Sequence, residues 1–154
     1  MSHITQTSPP AQVDVRGPRF VAWITTAVLV TTLLVSTLSI ALATTLLAAQ
    51  AVVFAVGAAL GPRRHPYGLV FSTLVAPRLG PVTEREPVAP LKFAQAVGLV
   101  FAVVGVAGFA AGSPTLGLVA IGFALAAAFL NAAFGICLGC QLYPLFLRLN
   151  PTHS

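Results

Sequence analysis

The sequence has very few charged residues, and this scarcity excludes a soluble protein. Of its 154 residues, 7% are Asp, Glu, Lys or Arg, whereas 57% are hydrophobic. Soluble domains carry roughly 25% charged residues, so water would not solvate the surface of a domain with this composition. The composition therefore predicts a membrane protein.

Carboxylates are the scarcest charged groups. Asp14, Glu84 and Glu86 are the only three, and all lie outside the long apolar runs. Paired-carboxylate catalysis is therefore excluded, and apolar runs without ionisable residues argue against proton-coupled or charged-substrate transport. The sequence also lacks a phosphate-binding loop, a nucleophile elbow and a zinc-protease motif. We do not expect a stand-alone enzyme.

Four apolar runs are long enough to cross a bilayer. They cover residues 20–36, 40–60, 93–111 and 115–135. At about 1.5 Å per residue, runs of this length match a hydrocarbon core of about 30 Å. In lipid they must be helical, because an open strand leaves its backbone groups unpaired. The sequence predicts an all-α polytopic membrane protein, a four-helix transmembrane bundle made of two helical hairpins.

The remaining residues are predicted to form two tails and one loop. Residues 1–17 are polar and read as a flexible tail, and residues 149–154 form a second tail. Between them lies a membrane domain of residues 18–148, in which a loop at 61–92 joins the two hairpins.

An apolar segment at 67–75 within this loop is bounded by Pro66 and Pro77. The prolines predict a short helix. It either lies on the inner leaflet or packs against the bundle. On the leaflet, it would be held at headgroup level by Arg63, Arg64, Tyr67 and Arg78.

The basic residues predict the orientation. They precede the first run, lie in the long loop or follow the fourth run, and neither hairpin turn contains one. The eight are Arg16, Arg19, Arg63, Arg64, Arg78, Arg85, Lys92 and Arg148. By the positive-inside rule, both termini and the loop are cytoplasmic in an inner (plasma) membrane protein. Their position between apolar runs, rather than in one surface patch, argues against nucleic acid as a partner.

Cys137 and Cys140 are the only cysteines, and their Cys-x-x-Cys spacing is typical of a redox pair or of half a zinc site. We place the pair at the cytoplasmic end of the fourth helix, where the dipole does not favour a thiolate. Activation would then come from Arg148, from the loop arginines or from a partner. In a reducing compartment we expect no permanent disulfide. The alternative is that both thiols are merely packed.

A metal site would need further ligands. His65 is the one plausible cytoplasmic addition to Cys137 and Cys140. We therefore predict no metal and no other bound cofactor.

Three amides, Gln50, Gln95 and Asn131, lie within the apolar runs. Amides in lipid commonly join helices through hydrogen bonds, which is the role expected of Gln50. Gln95 and Asn131 are predicted at similar depth in the inner leaflet, where they either pack or line a polar pocket beneath the thiols.

Glycines recur at small-x-x-x-small spacing, which predicts close helix packing within the bundle or between copies in a homo-oligomer. The pairs are Gly57 and Gly61, Gly108 and Gly112, and Gly135 and Gly139.

Four segments resemble an actinobacterial membrane family known as domain of unknown function 4395. They are residues 16–20, 61–68, 76–81 and 129–140, and the last, with Asn-Ala-Ala-Phe-Gly and Cys-Leu-Gly-Cys, is the most specific. The family has no established activity. The resemblance implies a cytoplasmic thioredoxin-like or sulfurtransferase-like partner, and hence thiol or sulfur chemistry.

Quinone-linked disulfide-forming membrane enzymes share only the architecture, four helices with a late Cys-x-x-Cys. They use a second cysteine pair, which this chain lacks, and serve the outer compartment.

Three functional hypotheses follow. The first is a membrane-anchored thiol-redox or sulfur-transfer accessory that acts through Cys137 and Cys140. The second is a non-catalytic membrane subunit or scaffold. The third is a small pore or carrier for a neutral solute.

Overall fold

The computed structural model describes residues 11–150. Four long helices form a bundle, and short elements lie at one end of it. In chain order the elements are β1 (Gln12–Asp14), α1 (Arg16–Ser36), α2 (Ile40–Leu60), α3 (Pro66–Val70), β2 (Arg85–Pro87), α4 (Val88–Ala110), α5 (Pro114–Phe134) and α6 (Leu138–Leu149).

The predicted all-α membrane bundle is confirmed. Within the described residues, α1, α2, α4 and α5 are the helices long and apolar enough to cross a membrane. Between 22% and 33% of the most apolar stretch of each helix is buried inside the bundle. The rest of this apolar surface faces outward, which suits lipid as the solvent.

The two hairpins pack side by side. Helix α4 contacts both α5 and α2, and α1 contacts both α2 and α5. Bulky side chains fill the centre, and small ones let the helices approach closely. The buried core comprises Leu29, Ala43, Leu47, Phe54, Ala102, Phe109, Ile121 and Ala124.

Two of the long helices begin earlier than their apolar runs. Helix α1 begins at Arg16 rather than residue 20, and α4 begins at Val88 rather than residue 93. Both helices have a proline, Pro18 or Pro90, as their third residue. A proline is tolerated there because the first-turn N–H groups have no helical acceptor. The apolar run marks the part of each helix that is compatible with lipid, and these two helices extend beyond it at their N-terminal ends.

The polar segment before α1 is not a free tail over its described part. Strands β1 and β2 form an antiparallel ribbon in which Asp14 lies opposite Arg85. The prediction of a flexible tail is therefore wrong for residues 12–17, and its first ten residues lie outside the described part. Arg16 forms an ion pair of 2.8 Å with Asp14 and donates to the Gly80 carbonyl at 3.1 Å. The hydrogen bond from Arg16 lowers the pKa of Asp14.

The predicted short helix is present between α2 and α4. Helix α3 begins at Pro66 and continues as a π turn over Phe71–Val75 and a 3-10 turn over Ala76–Arg78. Phe71 is buried, with its ring 5.7 Å from that of Phe20 in α1. Leu69 and Leu74 are exposed. The segment therefore packs on the bundle with one face and leaves the other free.

In each predicted glycine pair, one glycine packs against a neighbouring element and the other ends a helix. Gly57, Gly108 and Gly139 lie against neighbouring elements, whereas Gly61, Gly112 and Gly135 lie at helix ends with positive φ. The prediction of small-x-x-x-small helix seams is therefore wrong in this form, because one member of each pair is not on a packed helix face.

Gly139 holds α6 against α4, and a single methyl group tests this contact. A Cβ at this position would lie 2.7 Å from both Cα and Cβ of Ala94. We expect Gly139→Ala to destabilise the detergent-solubilised protein by about 1–3 kcal/mol, as overpacking does, measured by thermal unfolding.

The matched control is Gly122→Ala. Nothing lies within 4 Å of a Cβ built at Gly122, so this change should be neutral or stabilising by up to about 1 kcal/mol through helix propensity. Equal behaviour of the two variants would contradict the observed α4–α6 contact.

Candidate functional site

The site begins where α5 ends. Gly135 adopts the left-handed conformation, with φ 70°, and its N–H donates to the Asn131 carbonyl at 3.0 Å. The N–H of Ile136 donates to the Leu130 carbonyl at 3.2 Å. Glycine takes this conformation without the Cβ penalty that other residues pay, so the chain can leave the helix here and start another.

Both cysteines therefore lie at the start of α6. The prediction that they lie at the end of the fourth long helix is wrong. Cys137 is the N-cap of α6, and its Sγ accepts a hydrogen bond from the Cys140 backbone N–H at 3.1 Å. The sequence contains a signal for this break, since glycine commonly ends helices, but the spacing of Gly135 and Gly139 also predicts close packing.

A disulfide joins Cys137 to Cys140 across the first turn of α6, with their Cα atoms 5.2 Å apart. The sequence led us to expect no permanent disulfide, and the structure contains the bond. Both residues are partly exposed. The pair is therefore placed for oxidation at a position that a reactant can approach.

The electrostatics around the pair favour negative charge. A helix N-terminus carries about half a positive elementary charge, and this corrects the expectation that the dipole gives no help. The guanidinium of Arg19 donates to the Ala132 carbonyl at 3.2 Å and lies 4.0 Å from a Cβ built at Gly135, two residues before Cys137. This contact could not be predicted from the sequence, because Arg19 and Ala132 are 113 residues apart.

Aromatic contacts fix α6 on the start of α4. The Phe93 ring lies 5.7 Å from that of Tyr143 and 5.0 Å from that of Phe146. With Gly139 against Ala94, these contacts set the direction of α6 and hence the position of its N-terminus.

A cavity of about 110 Å³ lies beside the cysteines. Cys137 lines it together with Gln95, Asn131 and His65. The structure thus places Gln95, Asn131 and Cys137 around one cavity, which Cys140 does not line. No hydrogen bond joins the Gln95 and Asn131 side chains within residues 11–150.

His65 is fixed at the wall of this cavity. Its Nδ1 accepts a hydrogen bond from the Tyr67 backbone N–H at 3.2 Å, so Nε2 carries the proton and donates to Gln95 Oε1 at 3.2 Å. The side chain is 1% exposed. Burial lowers the pKa of His65, and the bond to Gln95 partly offsets this effect.

Tyr67 points into the bundle, whereas the sequence suggested a place at headgroup level. Its hydroxyl donates to Gln50 Oε1 at 2.7 Å. Gln50 therefore bonds the loop segment rather than another long helix, and its buried Nε2 has no hydrogen-bond partner among the described residues. Burial raises the pKa of Tyr67.

The other residues predicted for the membrane surface are three arginines. Arg63, Arg64 and Arg78 are exposed, and Arg63 donates to the Gln12 carbonyl at 3.0 Å. Their place at a lipid headgroup layer stays a prediction.

The candidate metal ligands do not form a ligand set in this arrangement. The sulfurs of Cys137 and Cys140 are bonded to each other, and both ring nitrogens of His65 are hydrogen bonded. In the part of the chain that the structure describes, no three His, Cys, Asp or Glu side chains are grouped to hold a metal ion.

Comparison with known proteins gives one match. A family model described as Domain of unknown function (DUF4395) matches residues 13–148, which confirms the predicted family; the actinobacterial origin stays a prediction. No curated protein and no solved structure matches the chain.

The buried imidazole predicts a pH dependence of stability. Since burial lowers the folded-state pKa of His65 below its usual 6.5, the unfolded chain binds more protons between the two pKa values. Stability should therefore fall as the pH drops through about 6.5. We expect His65→Gln to reduce the change of the thermal unfolding midpoint with pH between about pH 7 and pH 5.5.

Gln95→Leu is the companion variant. It removes the hydrogen bond that favours the charged imidazole but keeps the imidazole, so the slope should persist or steepen. If the thermal midpoint of His65→Gln varied with pH as it does in the wild type, the pH dependence would belong to another titrating group.

Proposed function

We propose that this chain, which belongs to the DUF4395 family, is a membrane-embedded thiol–disulfide module. The observation that carries the proposal is an oxidised Cys-x-x-Cys pair at the N-terminus of α6, partly exposed and beside a cavity. Neutral buried thiols at a helix end would need neither the N-terminal position nor the nearby Arg19.

The two cysteines have distinct roles in this proposal. Once reduced, Cys137 is the attacking thiol, because its sulfur accepts the Cys140 N–H and lies at the positive end of α6. Its thiolate attacks a partner's disulfide, forms a mixed disulfide and releases one partner thiolate. Cys140 then attacks Cys137 Sγ, which forms the internal disulfide and releases the second partner thiol. In sulfur transfer, the Cys137 thiolate would attack the outer sulfur of a partner's persulfide, whose S–S bond breaks and whose own thiolate leaves, so that Cys137 carries the persulfide.

The partner and the side of the membrane are part of the proposal. We place the site on the cytoplasmic face of the plasma membrane, with both termini inside, because all eight basic residues flank the ends of the spans on one side. The contacts of Arg19 with Ala132 and of Arg63 with Gln12 are consistent with one shared end. A thioredoxin-like or sulfurtransferase-like protein would be the cytoplasmic reactant, and the module would work alone or as a homo-oligomer.

Single cysteine variants test the assigned roles. With oxidised glutathione as probe, Cys140→Ser should accumulate a mixed disulfide at Cys137, because the resolving thiol is missing. Cys137→Ser should react at least about tenfold more slowly, since the remaining thiol lacks the N-terminal position. Mass spectrometry of the acid-quenched protein measures both.

The double variant Cys137→Ser, Cys140→Ser is the negative control, which should form no mixed disulfide. Equal and slow reaction of the two single variants would remove the proposal and leave a scaffold with packed cysteines.

The orientation is tested by labelling intact cells with a membrane-impermeant maleimide, in the double-serine background. Arg85→Cys, in β2, should react only after lysis. Leu38→Cys, in the turn between α1 and α2 and 88% exposed, should react from outside. The reverse pattern would place the ribbon and the redox pair on the outer face.

A further inference from the structure

The cavity beside Cys137 lies within the end of the bundle that carries the cysteines. Its walls come from α1, α2, α4 and α5, the loop before α3 and the start of α6. Phe54 and Phe101 are among its apolar lining residues. It is partly open, so a molecule longer than the cavity could extend out of it.

The polar side chains in the lining are uncharged: two amides, a neutral imidazole, the Thr25 hydroxyl and the sulfur position of Cys137. His65 donates to Gln95 Oε1, which fixes the Gln95 amide with its NH₂ group directed away from the imidazole. Asn131 supplies a second amide from α5. Amide N–H groups are suited to donate hydrogen bonds to carbonyl oxygens.

The size and lining select the class of ligand. A cavity of about 150 Å³ binds benzene, so about 110 Å³ encloses only part of a ring, and the remainder would occupy the open side of the cavity. Among the residues that the structure describes, no Asp, Glu, Lys or Arg lines the cavity. An anionic acceptor such as a dinucleotide would lose its hydration here without an opposing charge.

We infer that this cavity binds the head group of a lipid quinone, which receives the electrons of the reduced Cys137–Cys140 pair. The inference rests on the proposed thiol–disulfide function, run in the direction in which a partner's two thiols reduce the Cys137–Cys140 disulfide by exchange. It names the acceptor that then reoxidises the pair. A quinone ring has two carbonyl oxygens for the Gln95 and Asn131 amides, and its isoprenoid tail favours lipid.

The electron balance closes with these two reactants. The two thiols give up two electrons and two protons, and an S–S bond forms between Cys137 and Cys140. The quinone accepts both electrons and both protons, and its two carbonyl oxygens become hydroxyls. Only Cys137 lines the cavity, so it is the sulfur that meets the quinone, and Cys140 closes the disulfide.

The test uses the full chain in lipid nanodiscs, reduced with dithiothreitol and then freed of it. A decyl-substituted benzoquinone is added, and quinol formation is followed by absorbance while free thiols are titrated. We expect one quinol for every two thiols lost, with saturable kinetics. The same quinone should raise the thermal midpoint of the oxidised protein, a readout that needs no turnover.

Asn131→Leu removes one donor at nearly constant volume and should raise the half-saturating quinone concentration at least about tenfold. Gln141→Leu is the matched control, because Gln141 is an exposed amide in the same helix as Cys140 and does not line the cavity. It should behave as wild type.

The outcomes separate the two proposals. Exchange with glutathione but no quinol and no thermal shift would overturn the quinone site and leave the thiol–disulfide function. Failure of both reactions would overturn both. Equal effects of Asn131→Leu and Gln141→Leu would show that the quinone acts from outside the cavity, against the inference.

Discussion

A helix in lipid must keep its backbone hydrogen bonds within itself, because no water is present to accept or donate them. The chain can therefore change direction only where a helix ends, and polar chemistry is confined to those ends. In this protein His65 follows the end of α2, and the cysteines follow the end of α5. The candidate site is thus a direct consequence of where the long helices stop.

Among residues 11–150, the buried polar side chains of the bundle are threonines, Gln50 and His65, with no charged residue among them. Buried polar groups must find partners within a small set of neutral side chains. His65 and Gln95 pair, as do Tyr67 and Gln50. Both pairs join the segment between the hairpins to the long helices, so the loop is anchored by the same groups that shape the cavity. A neutral network of this kind suits a neutral ligand.

Much of the fold could be predicted, because membrane insertion imposes strong and local requirements. The four spans followed from the length of the apolar runs, and the short helix after Pro66 followed from its bounding prolines. The ribbon could not be predicted, since strands β1 and β2 have three residues each and are 70 residues apart. Such pairing depends on the hairpins having already brought residues 12–14 and 85–87 together.

The sequence by itself determined that the chain forms long lipid-compatible helices, that its basic residues flank them on one side, and that Cys137 and Cys140 form its one thiol pair. These properties depend on composition and local spacing. Only the tertiary structure decided that a new helix begins at Leu138 and that the cysteines lie at its positive end. It also decided that Arg19 contacts Ala132 near the end of α5, and that His65, Gln95 and Asn131 line one cavity with Cys137. Those contacts join residues from both hairpins, and packing of the helices against one another is what sets them.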